Sequence, residues 1–170
     1  LEPLELRFDE PRSAVSLTYS LALVALTSAV LFGPRFFGRW SAATFILFAC
    51  VLAAFGTLLA RMASSLSIVW IGYSLIFGAV NGLGYGFGLQ ISVQVNPGHE
   101  GLAMGIVTAA YACGAVVSPG LFDLAVEARG FATAMMILTG VLLTVGVLSA
   151  ALMWKVDAKF QTRQHRAVYT

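Results

Sequence analysis

Five long stretches of this chain contain no aspartate, glutamate, lysine, arginine or histidine: Ser13 to Pro34, Trp40 to Ala60, Met62 to Gly98, Gly101 to Phe122 and Gly130 to Trp154. All ten basic and eight acidic residues lie outside them. A soluble core helix would show a polar stripe recurring every three or four residues, and none of these stretches does. Crossing a hydrocarbon layer of about 30 Å takes about 20 helical residues, a length each stretch reaches. Charged residues make up 11% of the chain, against roughly one quarter in soluble domains. A soluble globular domain is excluded, and each stretch reads as a transmembrane helix. The lack of buried charge also leaves no proton relay and no counter-ion for a charged solute within these spans.

Other absences narrow the function. The two cysteines, Cys50 and Cys113, both sit in apolar runs, which argues against a structural disulfide and for buried, unreactive thiols. The two histidines, His99 and His165, are far apart in loops and lack metal-ligand spacing. No HExxH, GxSxG or phosphate-loop pattern occurs. The chain therefore reads as a non-enzyme that uses no metal or cofactor. A net charge of +2 without a basic stripe gives nucleic acid nothing to bind. The first run is too long for a signal peptide, follows an acidic segment and lacks a small-residue cleavage site.

The fold class expected is an all-α integral membrane protein. Residues 1–12 form an extracytoplasmic segment, and residues 13–154 form a five-helix bundle. Its helices are expected near 13–34, 41–60, 66–93, 101–122 and 131–154, with Asn96-Pro97-Gly98 ending the third. Residues 155–170 form a basic tail or linker. One side of the membrane collects four basic and six acidic residues in the N-terminal segment, Arg61 and the loop from Asp123 to Arg129. The other collects six basic and two acidic residues around Arg35, Arg39, Glu100 and the tail. Basic loops favour the cytoplasm, so the tail is expected there, in a bacterial inner membrane or a plasma membrane. The start at Leu1 and the odd number of spans lead us to expect a piece of a longer chain.

Glycine is concentrated on the third span, at Gly78, Gly82, Gly84, Gly86 and Gly88. Gly78 to Gly82, Gly84 to Gly88 and Gly101 to Gly105 are spaced to let helix backbones approach closely in lipid; the same residues could let a helix bend during a conformational cycle. At 100° per residue, Asn81, Tyr85, Gly88 and Ser92 share one face of the third span, with Gln90 and Gln94 roughly opposite. Thr108, Tyr111 and Ser118 form a looser polar strip on the fourth. Polar groups at membrane depth face a cavity or another helix, so Asn81, Tyr85 and Ser92, then Thr108 and Tyr111, are the candidates for contact with a solute. Bonding between helices is the competing role for each.

The order of these motifs resembles the major facilitator superfamily of secondary transporters. Phe32-Gly33-Pro34-Arg35-Phe36-Phe37-Gly38-Arg39 resembles that family's short cytoplasmic signature between helices two and three, repeated between eight and nine; Phe36 stands where an acid is usual. Glu100-Gly101-Leu102-Ala103-Met104-Gly105 resembles the start of its fifth helix, with Glu100 in place of arginine. Gly105, Gly114 and Ser118-Pro119-Gly120 resemble the glycine–proline motif of antiporter fifth helices. The run from Gly82 to Gly88 resembles the monocarboxylate and oxalate/formate branch.

The resemblance implies one incomplete half of a transporter of two six-helix bundles, either helices two to six or helices eight to twelve. It implies alternating access to a small solute, a monocarboxylate or similar organic anion. The positive partner of that anion, and a coupling proton or counter-anion, would then involve the missing half. Gly33, Gly38, Arg39, Gly78, Gly82, Gly84, Gly88, Gly105, Gly114 and Pro119 would serve packing and conformational change. A non-transporting membrane scaffold, or a half-size module acting by dimerisation, is the alternative. The charge asymmetry predicts that a fluorescent protein fused after Thr170 folds and glows, whereas a periplasm-dependent phosphatase at the same point stays inactive. The opposite pattern would reverse the topology.

Overall fold

A computed structural model describes residue 5, residues 8–37 and residues 40–168. Five of its helices are long and apolar enough to cross a membrane, and no strand occurs among the described residues. They are α1 (Arg12–Phe32), α2 (Ala42–Arg61), α3 (Leu66–Val95), α4 (Glu100–Arg129) and α5 (Phe131–Val168). At about 1.5 Å per residue, the 20 and 21 residues of α2 and α1 match the hydrocarbon thickness. The 30 residues of α3 and of α4 exceed it, as tilted or protruding helices do.

Local chemistry sets most of the ends. Ser41 caps α2, its Oγ accepting the Thr44 N–H at 3.2 Å. Asn96 closes α3 by donating its side-chain amide to the Ser92 carbonyl at 2.9 Å, and Gly98 turns the chain at φ +86°. Glu100 then opens α4 and accepts the Gly98 N–H at 2.7 Å. Gly130, at φ +80°, ends it. Gly33 is itself right-handed helical and donates to the Ala29 carbonyl at 2.8 Å, leading into a one-turn helix at Pro34–Phe37. Gly38 and Arg39 lie outside the described residues.

Two boundaries depart from the sequence expectation. The segment Asp123 to Arg129, expected as a loop, continues α4, because Leu124, Ala125, Glu127, Ala128 and Arg129 are good helix formers and no breaker precedes Gly130. The basic tail likewise continues α5 to Val168, with neither glycine nor proline after Trp154 to stop it. Pro119 sits inside α4, where it leaves the Ala115 carbonyl without its usual donor.

The packing is organised around α3. It runs parallel to α1, and every fourth residue of one meets every fourth residue of the other. Thr18 accepts the Ser74 hydroxyl on its carbonyl at 2.7 Å. A Cβ at Gly78 would lie 2.9 Å from the Ala22 carbonyl oxygen, and one at Gly82 would collide with the Leu26 carbonyl. On its opposite flank α3 crosses α2 antiparallel. There Gly56 and Gly72 face each other, each with a Cβ position 2.6 Å from the other's carbonyl oxygen. Phe45 and Phe87 stack at 4.7 Å further along.

Between these grips, Trp70–Phe77 is wound as a π-helix, wider than the α-helical remainder of α3. Trp70 Nε1 donates to Thr18 Oγ1 at 3.1 Å, so α1 holds this segment by two side chains while Gly72 holds it against α2. A second antiparallel pair, α2 with α5, is fixed two turns apart. Thr57 and Thr139 hydroxyls meet at 2.7 Å in a fully buried contact, and Gly146 receives Cys50. Each threonine also approaches its own backbone, Ala54 and Met135, at 2.9 and 2.8 Å. With one hydrogen per hydroxyl, one threonine donates to its partner while the other donates to its own carbonyl.

The cysteines differ from the expectation of two buried thiols. Both are free; Cys113 is exposed on α4 and Cys50 is half-buried. Replacing Gly72 with valine forces a side chain into the Gly56 backbone and should cost about 1–3 kcal/mol, read as earlier aggregation on heating in detergent. Gly140→Ala, whose Cβ meets nothing within 4 Å, should leave that temperature unchanged or raise it.

Candidate functional site

Helices α2, α3, α4 and α5 each touch the next and line an open cavity of about 400 Å³. Small-molecule sites commonly span about 300–1,000 Å³. Its wall comprises Ala49, Cys50 and Ala53 on α2, Phe77, Val80, Asn81, Gly84 and Tyr85 on α3, Val107 and Tyr111 on α4, and Leu142 on α5. The five α3 residues recur at three- and four-residue steps, so one helix face supplies nearly half the wall.

Polar character is concentrated where α3 meets α4. The two helices run antiparallel, so Asn81 and Tyr85, one turn apart, meet Tyr111 and Thr108 in reverse order. Asn81 Nδ2 donates to the Tyr111 hydroxyl at 3.2 Å. The Tyr85 and Thr108 hydroxyls bond at 3.2 Å. The two tyrosine rings lie 4.5 Å apart at 36°, a tilted aromatic contact that fixes both. Four of the five candidate solute-contact residues are thus brought together, three of them on the cavity wall.

These bonds do not exhaust the groups. Tyr111 oxygen accepts from Asn81, so its own hydrogen stays free to donate; Asn81 keeps Oδ1 as an acceptor. Of the Tyr85 and Thr108 hydroxyls, one donates to the other and the second retains its hydrogen. The arrangement offers donors and an acceptor side by side at the edge of an otherwise apolar space.

Ser92 is the fifth candidate and does not join them. Its hydroxyl donates to the Leu89 carbonyl at 2.8 Å on its own helix, two turns beyond Tyr85. Sharing a helical face was not enough, because a serine can satisfy itself on the preceding turn. The glycines also divide. Gly78 and Gly82 are in backbone contact with α1, whereas Gly88 meets only Val107 at an ordinary 3.6 Å. Close approach does not describe Gly84, Gly105 or Gly114, where a Cβ would find no atom of the described residues within 4 Å.

Ala49, Ala53 and the buried Thr57–Thr139 pair were not among the residues the sequence pointed to, and Cys50 was expected there only as a buried, unreactive thiol. The signal available was the run of small residues at three- and four-residue steps on α2, Ala49, Ala53, Gly56 and Ala60.

Five spans, four of them lining an interhelical cavity with a hydrogen-bonding edge, define an integral, multi-pass membrane protein equipped to handle a small solute. The family comparison agrees: residues 4–167 match the model of the Major Facilitator Superfamily, and the chain belongs to that family. Members of the family are transporters of small solutes. No curated protein and no solved structure matches the chain.

The Asn81–Tyr111 bond should register in a double-mutant cycle with Asn81→Val and Tyr111→Phe. The expected coupling is about 0.5–1.5 kcal/mol in denaturant unfolding in micelles. Additive losses would mean the bond contributes nothing to stability.

Proposed function

We propose that this chain supplies part of the solute path of a secondary active transporter, with Asn81, Tyr85, Thr108 and Tyr111 as the groups that bond to the solute during alternating access. The observation that carries this reading is the hydrogen-bonding cluster on the wall of a cavity large enough for a small organic molecule. Interhelical bonds alone would be satisfied in a closed seam. Here they border open space and retain unused donors and an acceptor.

The solute is a small organic anion such as a monocarboxylate. The resemblance of Gly82 to Gly88 to the monocarboxylate and oxalate/formate branch supports this class, as does the apolar character of most of the wall. An unpaired carboxylate in an apolar site is costly, and no wall residue is cationic. The counter-charge therefore comes from helices outside these five, in a second bundle that completes the path, and this chain is part of that larger transporter. The basic tail faces the cytoplasm.

The test is uptake of radiolabelled monocarboxylates into proteoliposomes by the protein expressed from its complete gene. Tyr111→Phe and Asn81→Ala should each lower kcat/KM on the order of tenfold, the value of one hydrogen bond to a charged group. Ser92→Ala should leave it within about twofold, since that hydroxyl is bonded to its own helix. Unchanged uptake in both cavity variants would reject the site.

A further inference from the structure

The glycines of α3 separate by what surrounds them. Gly78 and Gly82 are demanded by packing, since a side chain at either would strike the backbone of α1. Gly84 is different. It is exposed, it lies on the cavity wall between Asn81 and Tyr85, and a Cβ built on it would meet no atom of the described residues within 4 Å. Its backbone does not require glycine either, because the positive-φ glycines are Gly98 and Gly130. A glycine inside a helix costs about 1 kcal/mol relative to alanine. Among the described residues neither packing nor backbone geometry compensates for that cost at position 84. What the missing side chain does provide is volume, on the face of α3 that carries the polar groups. Across the same cavity, α2 presents only Ala49, Cys50 and Ala53, so small residues set its width on two sides.

We propose that Gly84 is a specificity-determining residue, which sets the largest solute the cavity accepts by leaving room for an apolar body beside Asn81, Tyr85 and Tyr111. This rests on the transport reading above and sharpens its solute class. The polar end of an organic acid bonds to the cluster, and an apolar body larger than a methyl group occupies the space at Gly84. Because the Cβ position is open, alanine, valine and leucine at 84 fill the cavity in steps without disturbing the packing of the helix.

Two measurements test this on the protein expressed from its complete gene. In proteoliposomes, uptake of acetate, butyrate and hexanoate is compared for the parent, Gly84→Ala and Gly84→Val. The hexanoate-to-acetate ratio should fall on the order of tenfold or more in the valine variant, as excluded methylenes do in a fitted pocket, with acetate held within about twofold. An unchanged ratio overturns the proposal. The second measurement needs no solute. Cys50 shares the cavity wall with Gly84, so in a Cys113→Ser background its alkylation by N-phenylmaleimide reports the open space.

Gly84→Leu should slow that alkylation on the order of tenfold, by the same exclusion of bulk from a filled pocket, and Gly140→Leu, on the outer surface of α5, should not. Equal rates in Gly84→Leu and the parent, or a parent Cys50 that does not react, overturn the proposal. So does failure of Gly84→Ala to elute as a folded species, since that would mean its Cβ has a neighbour. Slowed labelling with no uptake of any acid by the parent rejects the organic-acid reading and retains Gly84 as the size gate.

Discussion

The close approach of α3 to its two neighbours is the constraint on which the rest of the bundle depends. In lipid no hydrophobic force draws one apolar helix to another, and association rests on backbone proximity, van der Waals packing and interhelical bonds. Residues without bulk provide that proximity here. Ser74, Gly78 and Gly82 let α3 lie along α1, and Gly72 lets it cross α2 at Gly56. With α3 held on two sides, its remaining face is free to form the cavity wall, and Asn81 and Tyr85 are carried into place by that arrangement.

The π-helical segment belongs to the same constraint. Widening the helix over Trp70–Phe77 changes the angular phase between the first turn of α3 and its glycine-rich second half. A strictly α-helical α3 that kept Trp70 and Ser74 on Thr18 would aim Asn81 and Tyr85 elsewhere. The α1 contacts at Thr18 and the α2 contact at Gly72 hold the wide turns from opposite sides. Positioning of the polar cluster is thus tied to contacts two to three turns away.

The polar interior is economical. Two hydroxyl and amide pairs join α3 to α4, and one threonine pair joins α2 to α5. The threonine pair is buried, and its two hydrogens are used between the two hydroxyls and one backbone carbonyl, which makes it a structural joint. The α3–α4 pairs sit at an edge of open volume with capacity left over, which makes them able to accept a third participant. The same chemical groups differ in role because of the space beside them.

The existence, number and approximate extent of the spans were legible in the primary sequence, because the cost of placing a charge in hydrocarbon leaves an unmistakable charge-free pattern. Asn81 and Tyr85 on one span, and Thr108 and Tyr111 on the next, were also visible as polar residues at helical spacing, but that the two strips bond to each other came from the packing of α3 on α4. Helical periodicity could not separate Ser92 from them, because a serine hydroxyl has a partner on its own previous turn. It could not distinguish Gly82 from Gly84 either. Both lack a side chain, and only the tertiary structure decides that one meets the α1 backbone and the other an opening. The Gly56–Gly72 and Thr57–Thr139 contacts were hidden for the same reason. Periodicity reports which side of a helix a residue occupies, while the crossing of two helices, set by packing across the bundle, decides what that side meets.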